Sequence, residues 1–237
     1  MSTSTGRLEW VRRTIRGVGP VRSVWLLLRA VRGAVKDGPR RNRRRVDREF
    51  SAPDPWSYAT SEAEQDCFRH QLNVLDRSRN GQLFGDACEI GCAEGFFTER
   101  LAERCTSLLA LELSPTALAR ARERRDWGQH VRFARWDLRR DPLPGTFDLI
   151  VLAGVLEYFD RRSALRVARN KVVAGLRPGG HLFLVTTRSP GAEDSWWGRL
   201  LPRGARINEF VGAHPSLRPL LAEGGDEYVI GLFERAP

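Results

Sequence analysis

From Ser61 onward the chain alternates short apolar runs with segments of helical spacing. Asp86 to Ile90, Ser107 to Glu112, Val131 to Trp136, Phe147 to Gly154 and His181 to Thr187 are strand-length runs. Apart from Asp148 the fourth is apolar throughout, as strands buried on both faces of a parallel sheet are. Phe96 to Cys105 and Arg162 to Ala174 have helical spacing, and Ser114-Pro115 opens a further helix with a capping serine and a proline at its first position. Ser61 with Glu64 three residues on predicts a capped helix to about Arg77. Leu176-Arg177-Pro178-Gly179-Gly180 predicts a helix stop and a turn. Leu217 to Ala222 and Glu227 to Glu234, separated by Glu223-Gly224-Gly225-Asp226, predict a closing hairpin. Two prolines make Ser51 to Ser61 an extended segment. Arg188 to Pro215, carrying Trp196, Trp197, Phe210 and His214, reads as a loop above the strand ends, where such loops form substrate lids. Its paired tryptophans either stack an acceptor or bury the loop. Five strands alternating with helices predict an α/β fold with a doubly wound sheet.

The stretch Glu89-Ile90-Gly91-Cys92-Ala93-Glu94-Gly95 joins the first strand to its helix by a turn of small residues. Small residues let a ligand approach the backbone, and the N–H groups opening the helix suit an anionic or polar cofactor. The dinucleotide fingerprint G-x-G-x-x-G is not met, because Phe96 stands where its third glycine belongs. That disfavours a nicotinamide-dependent dehydrogenase. Glu112 ends the second strand 21 residues beyond Gly91, where a carboxylate can accept both ribose hydroxyls of a bound nucleoside. Asp137-Leu138 ends the third strand, where an acidic residue can take an adenine amino group or simply form a turn.

The spacing acidic-x-Gly-x-(Gly/Ala)-x-Gly at Glu89, Gly91, Ala93 and Gly95 resembles the first motif of class I S-adenosylmethionine-dependent methyltransferases. The Asp54-Pro55-Trp56-x-Tyr58 segment looks like the entry of the nodulation-protein-S-like sugar methyltransferases, and Leu-Arg-Pro-Gly-Gly before the fifth strand is frequent in the superfamily. The resemblance covers about residues 51 to 237. It implies a Rossmann-like sheet in the order 3-2-1-4-5-7-6 with strand 7 antiparallel, and S-adenosylmethionine as cofactor. It also implies that Trp56 and Tyr58 lie over the cofactor, that Cys92 and Leu113 accompany the turn and the ribose carboxylate, and that Asp137 and Leu138 meet the adenine. Ala153 and Gly154 close the donor site, and no metal is involved. Glu157 and Tyr158 match the place of acceptor-side residues, and the absence of Asp/Asn-Pro-Pro-Tyr/Phe counts against a nucleic-acid base as acceptor. The implied reaction is methyl transfer to an amine or hydroxyl of a small polar, sugar-containing acceptor. Glu157 would orient the nucleophile, with Tyr158 and His214 as further catalytic candidates and the histidine as base. An RNA methyltransferase and a non-enzymatic binding protein that keeps the fold are the rival readings.

Charge divides the chain. Residues 1 to 50 hold 14 Lys or Arg against 4 Asp or Glu, which accounts for the whole net charge of +10. They read as an extension, with the methyltransferase domain occupying 51 to 237. Val21, Val24, Trp25, Leu28, Val31 and Val35 fall on one helical face, followed by the run Arg40 to Arg45. Such a basic amphipathic segment fits an anionic membrane surface as the partner of residues 1 to 45, or packs on the domain beside a solvated linker. Val24 to Leu28 is far short of the roughly 20 residues that span a bilayer. A cytoplasmic setting, peripheral at the inner membrane face, is the expectation. Cys67, Cys88, Cys92 and Cys105 show no metal-binding spacing and are expected to be reduced.

Overall fold

The apolar runs form strands β1 (Phe84–Ile90), β2 (Cys105–Glu112), β3 (Val131–Arg135), β4 (Phe147–Ala153) and β5 (Leu176–Thr187), and the hairpin supplies β6 (Leu217–Gly224) and β7 (Tyr228–Arg235). Helices α1 (Glu62–Ser78), α2 (Phe96–Ala102), α3 (Pro115–Glu123), α4 (Arg162–Ala174) and α5 (Ala205–Gly212) connect or precede them. The computed structural model describes residues 45–159, 161–187, 204–224 and 227–237. The strands make one sheet in the order β3-β2-β1-β4-β5-β7-β6. β1 to β5 pair in parallel, while β7 runs antiparallel to both β5 and β6. The order reverses between β1 and β4, which opens a crevice at the carboxyl ends of the strands.

Alternation along the strands divides the core in two. Ala87, Leu108, Leu149, Val151, Phe183 and Ile230 pack against Phe68, Leu72 and Leu75 of α1 and Phe97 and Leu101 of α2. Cys88, Leu111, Ile150, Leu152, Leu182 and Leu184 face the other way, onto Leu165, Ala168 and Val172 of α4 and Ile207 and Val211 of α5. Helices therefore cover both faces, as the apolar run Leu149 to Ala153 of β4 requires.

Four local expectations change. Ser51 to Ser61 is a chain of turns rather than an extended segment. Asp54, at φ +46°, folds its carboxylate onto the following backbone, accepting from Tyr58 N at 2.6 Å and Ala59 N at 2.8 Å. Leu176 to Gly180 does not precede the fifth strand but opens it, and the β4–β5 register shifts between Phe147 and Leu149 to absorb the extra residues. The helix stop is Gly175, whose N–H donates to Lys171 O and Val172 O. α2 ends at Ala102, because Cys105 is already in β2. The segment read as a loop from Arg188 to Pro215 contains α5, while Trp196 and Trp197 lie outside the described residues, as do the apolar stripe of residues 21–35 and Arg40 to Arg44. Residues 45–49 are helical, and Val46 and Phe50 are buried against Ala117, with Trp56, Ala93, Leu113 and Tyr158 packed around them. This end of the charged segment thus joins the body of the protein.

Candidate functional site

The glycine turn leaves β1 at the crevice. Gly91 N and Cys92 N both donate to Leu111 O, at 2.7 and 3.1 Å, which ties the turn to β2. Gly91 has φ +83°, and a side chain there would meet Val155 Cγ2 at 2.5 Å. Ala93 has φ +51°, a conformation rare for residues with a Cβ, and its N–H donates to Glu112 Oε2 at 3.0 Å. Gly95, also left-handed, starts α2.

Glu112 is buried at the tip of β2. Its Oε1 accepts from Leu113 N at 2.6 Å and Ser114 N at 2.8 Å. Burial raises its pKa, and the N–H groups of Ser114, Ala93 and Leu113 oppose that rise. A carboxylate has about four acceptor positions, and three are filled. Oε2, with one donor, keeps the remaining acceptor position. Glu89 is also buried, and its Oε2 has no hydrogen-bond partner. Burial pushes its pKa up to about 7, against the Thr98 hydroxyl beside it and with help from the Glu112 charge. Two buried carboxylates behind the turn oppose a pyrophosphate and fit a ligand that brings hydroxyls and a positive charge, as S-adenosylmethionine does. Burial pushes the Cys92 thiol well up, reinforced by Glu89 and Glu112, so it stays protonated.

Beyond β3, Trp136 N donates to Glu112 O at 2.9 Å, which ties the residue before Asp137 to the tip of β2. Asp137 and Leu138 are buried. Asp137 Oδ1 accepts from Arg139 N at 3.0 Å, its N–H donates to Asp141 Oδ2 at 2.9 Å, and Lys171 Nζ clamps the turn through Leu138 O and Asp141 O at 2.7 and 2.6 Å. The aspartate therefore shapes its turn.

A strap of residues 45–60 covers the glycine turn. Trp56 stacks edge-on with Phe50 at 5.0 Å and shares a cluster with Ala93 and Leu113. Tyr58 follows it at 5.6 Å but leans into the core, on Phe68 and Phe96. Trp56 thus faces the turn, whereas Tyr58 staples the strap to the helices beneath it. Sequence reasoning missed what fastens the strap. Arg120 of α3 donates to Phe50 O and Ala52 O at 3.1 Å and to Glu94 Oε1 at 2.8 Å, while Glu94 Oε2 accepts from Asp54 N at 2.8 Å. Nothing singles out one arginine among 37, although an aspartate before a proline is a turn signal that points to Asp54.

β4 ends at Ala153, and Gly154, at φ +67°, has open space where a Cβ would stand. Glu157 follows on a 3-10 turn over Leu156–Tyr158. Its Oε1 accepts from Thr187 N, at the end of β5, at 2.7 Å, and its buried Oε2 has no hydrogen-bond partner among the described residues. Tyr158 turns towards the strap instead, donating to Glu49 Oε2 at 2.5 Å beneath the Arg45 guanidinium, which lies 5.0 Å from its ring. His214 is not part of this group. It precedes β6, its Nδ1 accepts from Ser216 N at 3.1 Å, and burial, Arg169 and Arg235 lower its pKa. Leu217 pairs with Arg235, whereas Thr187 pairs with Tyr228 at the far end of β7. Seven residues of strand, about 23 Å, lie between those ends. His214 is removed from the acceptor side, because a helix-to-strand connection enters a parallel strand at its amino end.

Comparisons with known proteins agree with this geometry. The family model for nodulation protein S (NodS) matches residues 38–210. A nodulation protein S of Sinorhizobium fredii is 37% identical over 137 residues, 58% of this chain and 62% of that protein, so the chain spans less than two thirds of this relative's length. A ubiquinone biosynthesis O-methyltransferase of Pseudomonas aeruginosa is 31% identical over 155 residues, 60% of this chain and 64% of the relative. The crystal structure of the N-methyltransferase NodS from Bradyrhizobium japonicum with S-adenosyl-L-homocysteine superposes with a TM-score of 0.71 at 25% identity, over 83% of this chain and 99% of that one. The chain belongs to the nodulation protein S (NodS) family, and its sheet and donor-side turn are those of a class I S-adenosylmethionine-dependent methyltransferase.

Proposed function

We propose that the protein transfers a methyl group from S-adenosylmethionine to an amine of a small polar acceptor of the amino-sugar class. The donor, when bound, supplies an electrophilic methyl on a sulfonium. The chain's own work is to hold that group and the nucleophile in line. Glu112 and the Asp137-Leu138 turn would hold the nucleoside, Glu89 offers its unpartnered oxygen to positive charge, and Trp56 with the strap excludes water. The observation that carries the amine is Glu157. Its Oε1 is fixed by Thr187 N while its buried Oε2 lacks a donor among the described residues, and a carboxylate holds a charged ammonium N–H more strongly than a neutral hydroxyl. The likeness to a NodS described as an N-methyltransferase supports the same choice. We further propose that residues 1–44, which carry the whole net charge, set the protein's location at an anionic membrane surface rather than its chemistry.

The test is transfer from labelled donor to a panel of amino sugars, phenols and RNA. Label on an amino-sugar nitrogen is the expected result. Label confined to a phenol or to RNA overturns the amine reading.

A further inference from the structure

Among the described residues, His70 has an oxygen on each ring nitrogen. Nδ1 lies 2.7 Å from the Tyr228 hydroxyl and Nε2 lies 3.2 Å from Glu223 Oε2. Glu223 is itself held by Arg77, at 2.9 and 2.7 Å to its two oxygens. An ionised carboxylate can only accept, so Nε2 carries a proton. In the neutral ring Nδ1 must then accept from the tyrosine hydroxyl. The alternative state is the imidazolium, which differs by one proton on Nδ1.

The cluster lies at the functional end of the sheet. Tyr228 starts β7 as the pairing partner of Thr187, whose N–H holds Glu157. Tyr228, Ala153 and Tyr58 each pack against the core on the α1 side of the sheet. His70 and Glu223 are each about a third exposed, which leaves a route for a proton to solvent. The two remaining titratable neighbours of Tyr228 are Cys67 on α1 and Glu227 beside it in the chain.

Resting on the amine reading above, we propose that Tyr228, His70 and Glu223 form a proton relay that serves the acceptor nitrogen. A proton of the acceptor ammonium first passes to the Tyr228 oxygen while the Tyr228 proton passes to His70 Nδ1. The freed nitrogen lone pair then forms its bond to the methyl carbon, and the S–CH3 electron pair stays with sulfur. The charge formed on the ring is met by Glu223 on Nε2 and leaves to solvent. Burial pushes the Tyr228 phenol up to about 12, reinforced by Cys67, so it stays protonated near neutrality and conducts rather than ionises. Arg77 keeps Glu223 ionised, holding its carboxyl below the usual range together with His70.

The full chain is compared with Tyr228→Phe, His70→Gln and Glu223→Gln, using labelled donor and the best amine acceptor of the panel, from acid to alkaline pH. Each of the first two is expected to lower kcat at neutral pH by at least about tenfold, in the range of general acid–base effects. The deficit should shrink as pH rises and the acceptor loses its proton unaided, with affinity for S-adenosylhomocysteine unchanged. Tyr228→Phe keeps the ring's packing, so it decides the matter if His70→Gln does not fold. A staple holding the hairpin to α1 would lower Tm and leave the shape of the pH profile as in the wild type, and that outcome overturns the relay. Absence of transfer to any amine by the wild type overturns the amine reading, and the relay with it.

Discussion

Two carboxylates, Glu112 at the tip of β2 and Glu157 on the 3-10 turn after β4, stand on the two halves of the crevice and are held in opposite ways. Glu112 accepts three backbone N–H bonds, from residues 93, 113 and 114, all close to it in the chain or in the adjoining turn. Glu157 accepts one, from Thr187 on another strand, and keeps a buried oxygen bare. In the proposed function the Glu112 half, held by three local bonds, is the rigid donor half. The acceptor half is assembled from distant elements, with bonding capacity left over for whatever enters.

The largest effect should come from breaking the rigid half. Glu112→Ala removes the acceptor of three backbone donors as well as a ribose contact. A charge-assisted bond alone contributes about 1.5–3 kcal/mol, so calorimetry should show donor affinity falling by roughly ten- to a hundredfold or more. Unchanged affinity would remove Glu112 from the site. On the open half, Glu157→Gln keeps a hydrogen-bonding oxygen for Thr187 N but loses the charge. Turnover on an amine should drop at least about tenfold with donor affinity nearly intact. Turnover equal to wild type dismisses Glu157 from the mechanism.

The same contrast explains what the sequence could reveal. The donor half repeats a local pattern, a carboxylate and small residues at fixed spacing followed by a second carboxylate 21 positions on, and each element lies where its apolar run predicted. Glu49 and Tyr158 meet across 109 positions, and His70 and Tyr228 across 158, with no local periodicity to announce either pair. α5 was hidden differently. Ile207 and Val211 keep helical spacing and both are buried, but Gly204 at its start offers no capping side chain. His214 misled because a loop histidine looks available. Its position follows from the sheet direction: β6 runs with β5, so the connection entering it lies opposite the crevice.

A subtler probe of the rigid half uses Glu89. Its buried carboxyl, raised to about 7 from an ordinary 4.5, is largely protonated in the free protein at pH 6. A positively charged ligand favours the ionised form, so binding there releases a proton. Donor affinity should rise with pH up to about 7 and level off above it, and calorimetry at pH 6 in buffers of different ionisation enthalpy should show the released proton. The sign for stability is reversed. A carboxylate with a raised folded pKa weakens the fold as pH climbs from about 4.5 to 7, so Glu89→Gln should raise Tm at pH 8 relative to wild type and not at pH 4. A flat pH dependence of affinity together with equal Tm shifts at both pH values would falsify the burial argument.

The smallest effect on donor binding is expected from removing the most charged part of the chain. Residues 1–44 contain the entire net charge of +10, while residues 45–237 are neutral and include every group described in the crevice. Arg45 is the first of the described residues and pairs with Glu49 at 3.4 Å over the Tyr158 ring, so a chain starting there keeps the described strap. Its affinity for S-adenosylhomocysteine should match that of the full chain within about twofold. Attachment to vesicles is where the two chains should part. Each basic residue close to an anionic surface contributes about 1 kcal/mol at low salt, and this attraction is screened beyond roughly 8 Å at physiological ionic strength. The full chain should therefore sediment with phosphatidylserine vesicles at low salt, release as salt rises, and ignore neutral vesicles. The shortened chain should stay in solution throughout. Equal sedimentation of both chains moves the binding surface into the body, and sedimentation of neither ends the membrane proposal.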